Sequence, residues 1–68
     1  MTDQVFWRKT ARIIELLANR LQVSSEMAMD LFYNSRTYVL FRNPDTGMRL
    51  NSDQYILTDI MRELESKT

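Results

Sequence analysis

Two pairs of carboxylates are spaced so that the members of each pair could act together on one face of a helix. Glu26 and Asp30 are four residues apart, and Asp59 and Glu63 repeat that spacing. Such a pair could exchange a proton with a substrate or hold a divalent cation. The chain has no histidine and no cysteine, so it lacks the usual near-neutral acid–base group and the commonest zinc ligands.

These carboxylates also fit a simpler interpretation, as the solvated side of amphipathic helices. The sequence contains no phosphate-binding loop, nucleophile elbow or metal-ligand cluster. A chain of 68 residues should also lack room for a substrate cleft of ~300 Å³ or more. We therefore predict that the protein is not an enzyme and has no catalytic residue, no metal site and no cofactor.

Length and composition favour a single helical domain over residues 1–68. Hydrophobic residues make up 44% and charged residues 26%, as in ordinary folded proteins. No apolar run approaches the ~20 residues of a membrane span, and the N-terminal residues lack the basic-then-apolar layout of a secretory signal, so we expect a cytoplasmic protein without a membrane role. Nine basic and nine acidic residues cancel, which argues against a dominant affinity for nucleic acid.

Helical periodicity of the apolar residues predicts three principal helices, near residues 3–21, 24–34 and 52–66. The first should be capped by Thr2 or Asp3, and its charged residues are mainly basic. The last has mainly acidic charges, so the two helices should pack with complementary rims.

The second predicted helix opens at Ser24 or Ser25, either of which could cap it. Apolar residues cover most of its circumference. A helix with so wide an apolar surface should be central, or should lend one side to a partner.

Residues 35–51 admit two interpretations. The single proline and the single glycine, Pro44 and Gly47, mark a turn between two short segments. In one interpretation Ser35 caps a short helix at 36–42, and an extended piece follows at 48–51. In the other, residues 37–51 form a small β-hairpin. We favour the helix, and therefore a mainly α fold, a small three-helix bundle with an additional short helix. The alternative is an α+β fold of three helices and that hairpin.

The chain carries more aromatic residues than so small a core should cover, with one Trp, three Tyr, three Phe and also five Met. This surplus favours a non-enzymatic protein–protein interaction module that binds a protein partner or a second copy as a homodimer. Four side chains project away from the predicted core faces, and we predict that they bind the partner: Val5, Leu16, Tyr33 and Tyr55.

A small helix-turn-helix DNA-binding regulator is the alternative function, because a helix, a short turn and a second short helix follow one another here. Four residues on or beside that short helix would then contact nucleic acid: Arg36, Thr37, Arg42 and Arg49. The apolar run from residue 38 to residue 41 must serve core packing, which makes nucleic acid the less favoured partner.

The segment Tyr33-Asn34-Ser35-Arg36-Thr37-Tyr38, followed by Pro44-Asp45-Thr46-Gly47, resembles a pattern shared by a family of short uncharacterised bacterial proteins. The resemblance covers roughly residues 16–64. It implies a small, mainly helical bacterial domain with no known enzyme activity. Some members of that family are encoded near toxin-like genes, which implies an antitoxin-like or accessory role. The resemblance transfers no binding residue to this chain.

Overall fold

The structure, a computed structural model, describes residues 3–66 as four α-helices joined by short connections. In chain order the helices are α1 Asp3–Leu21, α2 Ser25–Tyr33, α3 Arg36–Arg42 and α4 Asp53–Ser66. Two 3₁₀ helices, Pro44–Thr46 and Met48–Leu50, connect α3 to α4. The predicted mainly α fold, with three longer helices and one short one, is confirmed.

The chain turns sharply between α1 and α2. Gln22 adopts a left-handed conformation with φ 59°, and the N–H of Val23 donates to the carbonyl of Ala18 over 3.0 Å. This arrangement satisfies a terminal carbonyl of α1 and stops the helix. The N-cap that we expected for α1, the side chain of Thr2 or Asp3, lies outside the part of the chain whose side chains are described.

Serine hydroxyls start the two middle helices. Ser24 caps α2 by accepting from the N–H of Met27 over 3.1 Å, and Ser35 caps α3 by accepting from the N–H of Tyr38 over 3.0 Å. Ser35 also donates to the carbonyl of Phe32 over 2.6 Å, which ties α3 to the end of α2. The two capping bonds each satisfy an N–H that a helix terminus would otherwise leave unpaired, and the bond to Phe32 satisfies a carbonyl at the end of α2.

Residues 43–51 form two consecutive 3₁₀ helices instead of strands. No strand occurs between residues 3 and 66, so the alternative hairpin at 37–51 and the extended piece at 48–51 are both wrong. Gly47 has φ +74°, and the N–H groups of Leu50 and Asn51 donate back to residues 47 and 48 over 3.0 and 3.1 Å. These local bonds occupy the backbone groups that a strand would have paired with a neighbour.

All four helices contribute to one apolar core. Phe32 of α2 and Phe41 of α3 lie fully buried at its centre. Around them pack buried aliphatic side chains of α1, α2 and α4: Ile13, Ile14, Leu17, Ala18, Ala28, Ile56, Leu57 and Ile60. In a chain this short, the core leaves part of α1 and α2 without a covering element.

Candidate functional site

Six of the seven aromatic side chains form one continuous series of ring contacts. From Trp7 the series runs to Phe6, Phe41 and Phe32, with ring centroids 4.9, 5.2 and 5.7 Å apart. It continues from Phe32 to Tyr33 over 6.1 Å, and Tyr38 lies against both of those rings at 5.1 and 4.8 Å. The two ends of the series, Trp7 and Tyr33, reach the surface.

Those two ends form opposite walls of an apolar groove between α1 and α2, which we call the α1–α2 groove. Trp7 and Ala11 line it from α1, and Met29 and Tyr33 line it from α2. Trp7 is 53% exposed, Met29 40% and Tyr33 39%. The groove has a volume of about 230 Å³, which suits a few side chains of a partner better than a whole small-molecule substrate.

Three features explain the shape of the groove. The hydroxyl of Ser25 donates to the carboxylate of Glu15 over 3.0 Å and closes one end. At the other end, the ring series holds residues 6 and 7 close to residues 32 and 33, so α1 and α2 run antiparallel. Between these ends Ala11 presents only a methyl group, which leaves the space above buried Ile14 and Thr10 open.

The structure does not bring the four predicted partner-binding residues together. Tyr33 lies in the α1–α2 groove, whereas Leu16 is half-buried and lines a separate depression beside Arg12. Val5 is 72% exposed on α1, and Tyr55 is 53% exposed on the outward side of α4. Neither of those two lines the groove or the depression.

Sequence reasoning missed Trp7 and Met29 as members of the site. Trp7 lies at the edge of the apolar arc of α1, and Met29 is one of the apolar residues that surround α2. The available signal was the spacing of Ser25, Met29 and Tyr33, which recur every four residues and therefore share one side of α2. Trp7 and Ala11 have the same spacing on α1.

The depression beside Arg12 has a volume of about 460 Å³, which exceeds the size that we expected the chain to offer. It is an open surface feature whose exposed lining is mainly apolar, formed by Ala11 and Leu16 together with the side chains of four polar residues: Arg12, Glu15, Asn19 and Asp53. It has no aromatic side chain. The smaller α1–α2 groove is the stronger candidate because three large apolar side chains are exposed on its walls.

Two of the predicted nucleic-acid contacts carry structural bonds. Thr37 is buried, and its hydroxyl donates to Glu63 over 3.0 Å. Arg49 donates to the carbonyls of Phe41 and Arg42 over 3.2 and 2.5 Å, and its guanidinium lies 4.7 Å from the ring of Phe6. These bonds hold both side chains against the protein itself.

The other two predicted nucleic-acid residues, Arg36 and Arg42, are exposed at opposite ends of α3. The guanidinium of Arg42 lies 5.9 Å from the ring of Tyr38. Two separated arginines give a weaker basic surface than the three arginines predicted from the sequence.

The carboxylate of Glu63 caps α3, although the sequence pattern places it on the solvent side of α4. It accepts from the N–H groups of Arg36 and Thr37 over 2.6 and 3.1 Å, in addition to the Thr37 hydroxyl. A negative charge there also interacts favourably with the helix dipole. Glu63, one member of the Asp59 and Glu63 pair of carboxylates, therefore has a structural role at the start of α3.

Asp53, at the start of α4, joins the basic helix to the acidic one. It lies 2.9 Å from the Nε of Arg12 and 3.6 Å from the Nζ of Lys9, which also donates to the carbonyl of Asn51 over 2.5 Å. The hydrogen bond from Arg12 is the main reason that the pKa of Asp53 lies below its usual value, and it raises the pKa of Arg12. This contact pairs basic side chains of α1 with an acidic side chain of α4, as the opposite charges of the two helices predict.

Within residues 3–66, no helix is both long and apolar enough to cross a lipid bilayer. The same residues contain no group of three or more acidic side chains placed to surround a metal ion. No protein family, characterised protein or solved structure matches this chain.

Proposed function

We propose that this protein is a non-enzymatic protein-interaction module whose partner binds in the α1–α2 groove. The observation that carries this proposal is the exposure of Trp7, Met29 and Tyr33 on the walls of one groove. Aromatic and methionine side chains are enriched in protein interfaces, where aromatic rings bury a large area for few rotatable bonds. Both helices that form the walls also pack into the same core.

The same surface suits a protein better than nucleic acid. Its walls carry no basic side chain, whereas nucleic-acid binding depends on a cluster of lysines or arginines that neutralise phosphates. Thr37 and Arg49 are hydrogen-bonded within the chain, which leaves two separated arginines on α3. Our proposal includes a cytoplasmic location and, on the family resemblance, an antitoxin-like or accessory role.

Capture from a cell lysate tests the groove when matched variants are compared. The intact chain should retain a polypeptide whose binding survives nuclease treatment. Trp7→Ala should lose that polypeptide. Tyr55→Ala should keep it, since Tyr55 is equally exposed but lies outside the groove. Far-ultraviolet circular dichroism on each variant confirms that the fold is intact.

Two outcomes would contradict the proposal. Retention of the same polypeptide by Trp7→Ala would show that the groove is not the binding surface. Recovery of nuclease-sensitive duplex, lost in Arg36→Ala, would support the DNA-binding alternative instead.

A further inference from the structure

The two sides of the α1–α2 groove carry different charges on their outer edges. On α1, the exposed arginines Arg8 and Arg12 follow the groove residues Trp7 and Ala11 in sequence, with Arg12 also bonded to Asp53 of α4, while Glu15 lies in the groove wall. On α2, the exposed charges are Glu26 and Asp30, with a net charge of −2. Any partner that covers the groove must lie against one basic edge and one acidic edge.

We infer that the partner is a second copy of this chain, bound so that α1 of each copy packs against α2 of the other. This inference rests on the proposed function, because it uses the same groove. A two-fold axis parallel to the groove produces this arrangement, and each basic edge then faces an acidic edge. A two-fold axis that runs across the groove, from α1 to α2, would instead place α1 on α1 and α2 on α2. The two acidic edges would then face each other, as would the two edges that carry arginines.

The positions of residues along the groove axis identify the charges that would meet. Within one chain Glu15 lies at the same height along that axis as Ser25, and Trp7 at the same height as Tyr33, so Asp30 lies at the height of Thr10. A two-fold axis parallel to the groove keeps each residue of the partner at the same height. The partner's Asp30 therefore lies between Arg8 and Arg12, about 3 Å along the axis from each at 1.5 Å per residue. Long arginine side chains readily span that offset.

The apolar side chains of the two grooves complete the interface. Trp7, Met29 and Tyr33 of each copy meet over the small side chain of Ala11, giving a four-helix arrangement with six large side chains at its centre. One unfavourable contact follows from the same register, because Glu15 faces the partner's Glu26. The bond from Ser25 draws the Glu15 carboxylate toward its own chain and reduces that repulsion.

Charge reversal measured by sedimentation equilibrium tests the arrangement. The intact chain should dimerise, and Trp7→Ala should weaken the dimer about thirtyfold or more, as expected for a central interface tryptophan. Arg8→Glu and Asp30→Arg should each weaken it about tenfold, because both symmetric pairs become repulsive. An equimolar mixture of these two variants should recover the intact chain's affinity as a heterodimer, since both pairs are then attractive.

Each contrary result would overturn a different part of the inference. A chain that stays monomeric at millimolar concentration would overturn the dimer, while groove-dependent capture of another polypeptide would leave the proposed function standing. A dimer unaffected by Trp7→Ala would place the dimer contact outside the groove and overturn this inference, while the capture experiment would still decide the proposed function. Strengthening of the dimer by Asp30→Arg, or no heterodimer in the mixture, would overturn the α1-on-α2 arrangement.

Discussion

The α1–α2 groove and the region around α3 use aromatic and charged side chains in different ways. In the region around α3, which we call the α3 junction, α3 and the two 3₁₀ helices are held by Glu63, Arg49 and the buried ring of Phe41. There the polar groups pair within the chain. In the groove, by contrast, Trp7 and Tyr33 extend from the same ring series into solvent.

This difference separates residues that maintain the fold from residues available to a partner. Every described buried side-chain nitrogen or oxygen has a hydrogen-bond partner, and the bonds of Glu63 and Arg49 hold the α3 junction to the rest of the chain. Both regions expose apolar side chains, but those of the α3 junction are the aliphatic Val39, Leu40 and Leu50, whereas the groove exposes two aromatic rings. Substitution of the buried or hydrogen-bonded residues of the α3 junction should therefore reduce stability, and substitutions in the groove should reduce binding.

The largest expected effect is at the centre of the α3 junction. Phe41→Ala removes a fully buried ring that contacts Phe6 and Phe32, and it should lower the free energy of unfolding by about 3–5 kcal/mol. Trp7→Ala, at an exposed end of the same series, should cost about 1 kcal/mol or less. Urea denaturation followed by circular dichroism measures both. Equal losses would remove the distinction between the two regions.

The next largest effect concerns the capping carboxylate. Glu63→Ala removes the acceptor of three hydrogen bonds at the start of α3 and should destabilise the protein by about 2 kcal/mol. Gln54→Ala, at an exposed position of α4, is the matched control and should change stability by less than about 0.5 kcal/mol. A Glu63→Ala variant as stable as this control would show that α3 does not need the cap.

A smaller effect should come from the left-handed turn between the 3₁₀ helices. At Gly47, φ is +74° and no atom lies within 4 Å of the position that a side chain's first carbon would take. Gly47→Ala should therefore cost about 1 kcal/mol from backbone conformation alone. Gly47→Asn should cost less, because asparagine tolerates this conformation better. Thermal unfolding of the two variants distinguishes a conformational cost from a steric one, which would penalise Asn more than Ala.

The smallest effect should be the contact that joins α1 to α4, outside both regions. Because Arg12 and Lys9 hold the pKa of Asp53 low, the ionised carboxylate favours the folded state. This contribution is full above the unfolded pKa of about 4 and is lost as pH falls through the lower folded value. Asp53→Asn should therefore cost about 1 kcal/mol or less at pH 7, and the difference from the unaltered chain should shrink below pH ~4. A difference that is constant from pH 7 to pH 2 would contradict this assignment.

The sequence predicts the helices well and the contacts between them poorly. Apolar periodicity locates α1, α2 and α4, and serine caps with the Asn43-Pro44 step bound α3, because these signals act over a few neighbouring residues. Glu63 lies 26 residues from Thr37 along the chain. No local pattern could indicate that a carboxylate on α4 would cap a helix so distant in sequence.

The candidate site shows the same limit. Tyr33 could be predicted because it lies at the edge of a widely apolar helix, but Val5 and Tyr55 looked equivalent on a helical wheel. Only the antiparallel packing of α1 on α2 shows that Trp7 and Met29 share a groove with Tyr33. From the sequence, Arg49 is expected to be a surface cation. In the structure it contacts the ring of Phe6 and two backbone carbonyls, which residue spacing alone cannot reveal.

The ring series links the two walls of the groove through the hydrophobic core. Trp7 and Tyr33 lie at its exposed ends, and the rings between them include Phe41 and Phe32, the two largest fully buried side chains. Moving the backbones of α1 and α2 apart would separate these buried rings, which pack as closely as an organic crystal. A ligand that needs a wider groove than rotation of the Trp7 and Tyr33 side chains can provide would therefore have to disturb the core that holds the chain together.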